Sequence, residues 1–208
     1  MIIHRKPKFK ALTGSLILSL CLIGTFVVFH LLSVVKILRT ENMESAIVCG
    51  SGLHGIIAFL AIMSGTICFA WWLYSATYNK VHIGYDRIAH RKAISPTEAL
   101  YSVFIPIVQV YKPYIAVKEV WISANRTFYD DENCSKAFLN VWWVLHLFMV
   151  FKFFIKLVFL KMSRMEVLFF SIADISIALI YFAAFAYMML KVTNKQNQLI
   201  ADFKGKLK

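Results

Sequence analysis

Apolar residues are gathered in four long runs, and polar residues are concentrated in the connections between them. The runs cover residues 12–35, 46–73, 139–160 and 167–190. Each is long enough to cross the hydrocarbon core of a bilayer, which takes about 20 residues of α-helix. The pattern therefore predicts an all-α integral membrane protein with four transmembrane helices arranged as two hairpins.

The same pattern divides the chain into five regions. A basic N-terminal segment precedes the first hairpin, a long cytoplasmic loop with interfacial helices separates the hairpins, and a basic tail follows the second. These regions are residues 1–11, 12–78, 79–138, 139–190 and 191–208. The first apolar run is too long for the core of a cleaved signal peptide, so we expect it to remain as a signal anchor.

Composition agrees with burial in lipid. Of the 208 residues, 60% are hydrophobic and 16% are charged, and the mean hydropathy is +0.66. A net charge of +12 would suggest nucleic acid binding in a soluble protein, but cytoplasmic loops of membrane proteins collect lysine and arginine. No direct contact with nucleic acid is therefore expected. The four cysteines are widely spaced and predict neither a zinc site nor a disulfide framework.

The distribution of basic residues predicts the orientation. The N-terminal segment, the long loop and the tail carry most of the 23 lysine and arginine residues, whereas the two short connections carry only Lys36, Arg39, Lys161 and Arg164. Because basic residues are retained on the cytoplasmic side, both termini and the long loop are predicted to be cytoplasmic. The expected location is the inner membrane, with the chain crossing it several times.

Aromatic residues gather where the second span ends and the third begins. They are Trp71, Trp72, Tyr74, Tyr78, Trp142 and Trp143. Tryptophan and tyrosine are enriched at membrane interfaces, so these residues are predicted to mark the cytoplasmic boundary. Bulky side chains that simply face lipid would give the same placement.

The long loop contains signals for two short helices. Ser95 and Glu98 flank Pro96 in an arrangement that predicts a helix beginning at Pro96. The apolar run that follows, residues 99–110, is too short to span, and Pro106 should kink or break it. A second, amphipathic helix is predicted from Pro113. Both are expected at the membrane interface or as a re-entrant segment.

The segment from Pro106 to Trp121 is the predicted functional surface, because two prolines interrupt apolar helix beside cationic and aromatic side chains. The predicted interface residues are Pro106, Gln109, Tyr111, Lys112, Pro113, Lys118, Glu119 and Trp121. Lys112 and Lys118, with Arg126, are candidates for binding anionic lipid or the acidic surface of a partner. A solvated basic face without a ligand is the alternative.

Two charges in the second hairpin are predicted to pair within the membrane. Lys152 and Asp174 should lie at similar depth if the third and fourth spans run antiparallel across a short turn. A single charge at the centre of a membrane helix costs about 2.5–3.5 kcal/mol, so compensation is expected. The pair would either fix the register of the two helices or form part of an ion or proton path.

The remaining polar and small residues of the spans predict packing rather than chemistry. His30, His54 and His146 show no metal-ligand spacing, and ordinary interhelical hydrogen bonding is expected of them. Small residues at intervals predict a close helix-packing face, within the chain or between protomers. This face consists of Ser51, Gly55, Ala61 and Gly65.

Several motifs resemble those of the bacterial domain-of-unknown-function 4328 family. They are Trp72-Leu73-Tyr74, Asn79, Gly84, the run from Phe104 to Tyr114, Lys118-Glu119-Val120-Trp121, and the run from Val192 to Gln196. Where family members often have Asn and Arg, this sequence has Gln109 and Lys112. The resemblance implies a multi-span bacterial membrane protein. It implies no activity, because none is established for the family.

No arrangement of residues in the sequence predicts an enzyme. A nucleophile with a positioned base, a metal cluster or paired carboxylates would be expected of one, and no catalytic residue, metal or cofactor is predicted. The leading hypothesis is a membrane anchor or sensor that presents its basic cytoplasmic face to a protein partner, in stress response or phage defence. The alternative is a homo-oligomeric channel or transporter subunit that uses Lys152 and Asp174.

Overall fold

The long apolar runs form long helices in the computed structural model of the chain. The structure describes residues 9–39, 53–82, 94–126, 136–158 and 164–205, and all regular secondary structure in these ranges is helical. The helices are α1 (Thr13–Arg39), α2 (Leu53–His82), α3 (Pro96–Ser102), α4 (Pro106–Gln109), α5 (Lys112–Arg126), α6 (Lys136–Val158) and α7 (Arg164–Gly205).

The helices α2 and α7 extend beyond the apolar runs that predicted them. The second run ends at Leu73 and the fourth at Leu190, but α2 continues to His82 and α7 to Gly205. A helix outlasts its apolar run when polar side chains on the following turns find partners in the protein. The helices therefore extend past the apolar runs, and the limits of the membrane spans at these two ends stay a prediction.

Two stretches are long and apolar enough to cross a membrane. They are Phe59–His82 in α2 and Ile175–Asp202 in α7. A third candidate arises if α3 and the chain from Ile107 to Ala124 are taken as one span bent by 107°. The apolar stretches Thr13–Phe29 in α1 and Ala137–Phe148 in α6 are shorter. The described residues thus form an all-helical fold with two to three candidate membrane spans.

The chain divides into two units. Unit 1 comprises Met1–Ile17, Ile67–Lys136 and Met188–Lys208, and unit 2 comprises Leu18–Thr66 and Ala137–Tyr187. The helices α1, α2 and α7 contribute residues to both. The described part of the long loop therefore belongs to the same unit as the extended ends of α2 and α7.

Unit 2 is held together by close contacts between apolar helices. A Cβ atom added at Gly65 in α2 would lie 2.9 Å from Cγ1 of Ile23 in α1, so these helices approach with almost no free space. A Cβ atom at Gly24 would lie 3.5 Å from the Phe182 ring of α7. Many large apolar side chains of unit 2 are exposed, among them Phe59, Leu60, Val144 and Ile180. An apolar exterior is expected of helices that lipid surrounds.

The structure describes part of the predicted helix-packing face. Ala61 and Gly65 are buried in α2. Gly55 lies in the same helix, but only its backbone is described. Ser51 is outside the described residues. The second small-residue step of the predicted face thus coincides with the contact between α1 and α2.

Local sequence signals position the short helices of unit 1. The Ser95 hydroxyl accepts a hydrogen bond from the Glu98 amide at 3.1 Å, and Pro96 occupies the first turn, so the predicted start of α3 is confirmed. The helix ends at Ser102, and Pro106 begins α4. Because a proline ring disfavours helix in the residue before it, the predicted break is explained. The helix α5 begins at Lys112, one residue before its predicted start.

The aromatic residues at the predicted interface do not share one environment. Trp71 is exposed, whereas Trp72 and Trp142 are almost completely buried. Trp72 stacks on Phe69 with ring centres 6.1 Å apart. Trp72 and Trp142 are therefore core residues of units 1 and 2 respectively, and neither faces lipid.

We expect Gly65→Ala to destabilise the protein by about 1–3 kcal/mol, because the new methyl group would overpack the α1–α2 contact. Thermal unfolding in mild detergent, followed by tryptophan fluorescence, measures the effect. Gly24→Ala is the matched control, since its methyl group would meet Phe182 at an ordinary contact distance of 3.5 Å. Equal loss of stability in both variants would contradict the close packing at Gly65.

Candidate functional site

Polar side chains are concentrated in the interior of unit 1. Among the residues that the structure describes, all buried polar and charged side chains except Ser19 lie there, namely Ser75, Thr77, Asn79, Lys80, Ser102, Ser123, Thr193 and Gln196. Burying a polar group is costly unless a hydrogen bond or an opposite charge replaces the lost water. We call these residues and their bonding partners the polar core, and it is the candidate functional site.

A buried ion pair joins α2 to α5 in the polar core. The Lys80 ammonium lies 2.7 Å from the Glu119 carboxylate, with side chains 2% and 28% exposed. The same carboxylate oxygen accepts a hydrogen bond from the Ile94 amide at 3.2 Å. Glu119 thus connects three segments: the end of α2, the residue before the cap of α3, and α5 itself.

Two buried hydrogen bonds join α2 to α7. The Trp72 indole donates to the Thr193 hydroxyl at 3.0 Å, and the Gln196 amide donates to the Ala76 carbonyl at 3.0 Å. Each helix contributes residues one turn apart, so the two bonds together set the register of α2 against α7. Lys191 on α7 also places its ammonium 5.0 Å from the Trp121 ring centre, which connects α7 to α5.

The chain before α1 is bound by α2 through its backbone and its side chain. The amide of Lys10 donates to the Asn79 side-chain oxygen at 2.7 Å, and the Asn79 amide group donates to the Lys10 carbonyl at 2.8 Å. The Lys10 ammonium lies 4.1 Å from the Tyr74 ring centre, 5.0 Å from that of Tyr78 and 5.3 Å from that of Trp71. The fully buried Asn79 therefore binds the backbone of Lys10. The three rings, which we call the aromatic ladder, bind the Lys10 ammonium.

The predicted interface residues are divided between the interior of unit 1 and its surface. Pro113 and Trp121 are buried, and Glu119 is committed to Lys80. Glu119 therefore belongs to the polar core, and Pro113 and Trp121 pack in the interior of unit 1. The side chain of Pro106 lies outside the description.

The other predicted interface residues lie at or near the surface. Tyr111 is exposed, and Gln109 and Lys118 are half-buried. Lys112 donates a hydrogen bond to the Glu98 carboxylate, and this bond raises the pKa of Lys112. The lysine therefore stays charged to a higher pH than usual, so the pair persists at neutral pH and weakens only as the pH rises through the raised pKa.

Of the three histidines predicted to lie in membrane spans, His146 in unit 2 is the one whose side chain the structure describes. His146 Nδ1 lies 3.0 Å from the Tyr181 hydroxyl, which confirms the interhelical hydrogen bond expected of this histidine. The side chains of His30 and His54 are outside the description. Within the described part of the chain, no group of three or more His, Cys, Asp or Glu side chains is placed to hold a metal ion.

The predicted intramembrane ion pair lies outside the described side chains. Lys152 belongs to α6 and Asp174 to α7, but only their helical backbone is described. Their pairing stays a prediction.

The main contacts of the polar core were not predicted from the sequence. The charge pattern places Lys80 in the long loop, and the proline-rich segment predicts Glu119 as a surface residue. A signal for the longer helix does exist, because Trp72, Ala76 and Lys80 recur every four residues and so share one helix face. That spacing predicts that α2 continues past Leu73, but it does not identify the partner of Lys80.

We expect Lys80→Met to destabilise unit 1 by about 3 kcal/mol, because the Glu119 carboxylate would lose its counter-charge in a mostly dry site. Adding Glu119→Gln should recover most of this loss, since a glutamine oxygen still accepts the Ile94 amide without bringing a charge. Thermal unfolding in detergent measures both variants. Lys112→Met, which removes a more exposed pair, should have a much smaller effect. A double variant no more stable than Lys80→Met would contradict the pairing.

We expect Asn79→Ala to release the backbone of Lys10, because both of its hydrogen bonds end on this one side chain. Hydrogen exchange at residues 9–12 should become roughly tenfold faster, as the loss of two modest hydrogen bonds predicts. Asn197→Ala is the control, since its only described bond is a long one of 3.5 Å to Thr13. Unchanged exchange in Asn79→Ala would show that the aromatic ladder alone holds this segment.

One known family accounts for most of the chain. A family model described as Domain of unknown function (DUF4328) matches residues 39–195. Comparisons with curated proteins and with solved structures gave no match. The matched range includes Trp72, Asn79, Lys80, Glu119 and Thr193. The chain belongs to the DUF4328 family.

Proposed function

We propose that the protein is a non-enzymatic membrane anchor or sensor that presents unit 1 to a cytoplasmic protein partner. In this proposal the chain crosses the bacterial inner membrane four times, through α1, α2, α6 and α7. Both termini and the loop between α2 and α6 lie in the cytoplasm. The partner binds the basic surface of unit 1.

The lengths of the helices support four spans. The helices α1 and α6 have 27 and 23 residues. At 1.5 Å per residue they are about 40 Å and about 35 Å long, and the hydrocarbon core is about 30 Å thick. The concentration of lysine and arginine in the loop and at the two ends supports the cytoplasmic orientation.

The contacts within the polar core support the proposal that the protein is a sensor. Both candidate spans, α2 and α7, enter it, and α5 is bonded to each of them through Glu119 and Trp121. A change in the position of α2 against α7 would therefore strain contacts of α5. Such an arrangement couples membrane helices to a cytoplasmic surface without any chemical step.

The exposed surface of unit 1 favours a protein partner of acidic character. Along the end of α7, Asn194, Asn197, Gln198 and Lys204 are exposed, together with one acid, Asp202. Lys118 of α5 is half-buried, with its ammonium 5.7 Å from the Tyr114 ring centre. Basic and amide side chains of this kind bind carboxylates through charge and hydrogen bonds.

We expect the tagged full chain, gently solubilised from its own host, to be recovered with a soluble protein in stoichiometric amount by native mass spectrometry. Combining Lys118→Glu with Lys204→Glu should lower that recovery about tenfold, because reversed charges repel an acidic partner. Lys161→Glu, on the predicted outer connection, is the matched control and should leave recovery unchanged.

A symmetric homo-oligomer recovered without any other protein would contradict the proposal. A partner that is retained equally by the charge-reversed variant and the control would also contradict it, because the contact would then not involve the basic surface.

A further inference from the structure

The short helices of unit 1 have an apolar face that packs inward and a second apolar face that points outward. The inward residues include Ala99, Val103, Ala116, Val117 and Val120, all buried. The outward residues are Tyr101, Phe104, Ile105, Ile107, Tyr111 and Ile115, and each has at least a third of its surface exposed. We call these six residues the outer face. Ile107, at 82% exposed, is its most prominent member.

The outer face carries no charge. Between Glu98 and Lys112 the sequence contains no charged residue. These two flanking residues neutralise each other in an ion pair, and the other acid of the described loop, Glu119, is paired with Lys80. A run of exposed apolar side chains without charges is unusual on a surface that faces water, and it marks contact with a partner or a membrane.

Candidate membrane spans hold the outer face close to the bilayer. The helix α5, which carries Ile115, is joined to α2 through Glu119 and to α7 through Trp121. The contact points on those helices, Lys80 and Lys191, lie within the candidate spans Phe59–His82 and Ile175–Asp202. A face attached in this way to two spans cannot lie far from the membrane surface.

The geometry points to insertion of the outer face into the headgroup and upper acyl region of the cytoplasmic leaflet, as a wedge with Ile107 at its tip. The sharp bend of 107° between the two arms of the segment gives the wedge its shape. The backbone through the bend is largely self-bonded, with the amides of Phe104 and Gln109 bonded to Tyr101 and Ile105 at 3.0 and 2.7 Å. The first backbone N–H groups of α4 have no partner within the helix. The wedge must therefore stop at the interface, where water and lipid ester oxygens can accept hydrogen bonds from these groups.

The attachment to two candidate spans favours lipid over a protein as the occupant, because it keeps the uncharged outer face at the membrane surface, where acyl chains can cover its apolar side chains. The inference rests on the cytoplasmic orientation proposed above, but it needs no protein partner.

Site-directed labelling in a cysteine-free version of the full chain tests the wedge. Ile107→Cys is compared with Thr97→Cys, an exposed polar position at the start of α3. In sealed inside-out vesicles, a membrane-impermeant maleimide should label Ile107→Cys about tenfold more slowly than Thr97→Cys, because a thiol among acyl chains ionises less readily and is harder for the polar reagent to reach. An environment-sensitive fluorophore at position 107 should emit at shorter wavelength and be quenched by lipids that carry a spin label near the headgroup.

Two results would overturn the wedge. Equal labelling of the two positions, without lipid quenching, would mean that the outer face is in water. Protection of position 107 that is not quenched by lipid, and that disappears when the protein is diluted in the bilayer, would mean that a second copy or another protein covers it. Failure of the orientation is distinguishable from both, because Thr97→Cys would then react only in right-side-out vesicles.

Discussion

An ammonium group that has lost its water requires a carboxylate beside it, and this requirement brings separate segments of unit 1 together. The Lys80 side chain is almost inaccessible, Glu119 of α5 lies against it, and the Ile94 amide uses the remaining capacity of the same oxygen. Separating the pair would leave an unmatched charge in a mostly dry interior. The bond between Trp72 and Thr193 depends on the same close packing, because an indole bond of this kind contributes most where water is excluded.

Local signals in the sequence predicted the elements that depend on neighbouring residues. The long apolar runs predicted four long helices, and the Ser95 cap with Pro96 and Pro106 predicted where the short helices begin and break. Such local signals do not predict the contacts of the polar core, because the residues that pair there are distant along the chain. Lys80 and Glu119 are 39 residues apart, and Trp72 and Thr193 are 121 residues apart. No periodic pattern connects such positions.

Apolar composition also conceals which face of a membrane helix packs inward. In water, polar residues mark the outer face of a helix, but in lipid both faces are apolar and the distinction disappears. For this reason the sequence pattern does not distinguish Trp142, which belongs to the core of unit 2, from the exposed Trp71. Small residues still indicate which face of a membrane helix packs against another helix. Gly65, which lies close to Ile23, is a position where this indication coincides with a close contact.

Several of the residues that carry the family resemblance join helices. Trp72 and Asn79 bond α2 to α7 and to the chain before α1, while Glu119 and Trp121 connect α5 to both candidate spans. Each of these side chains is committed to a partner within unit 1. The coupling between helices on which the proposed function relies uses all of these contacts as they stand.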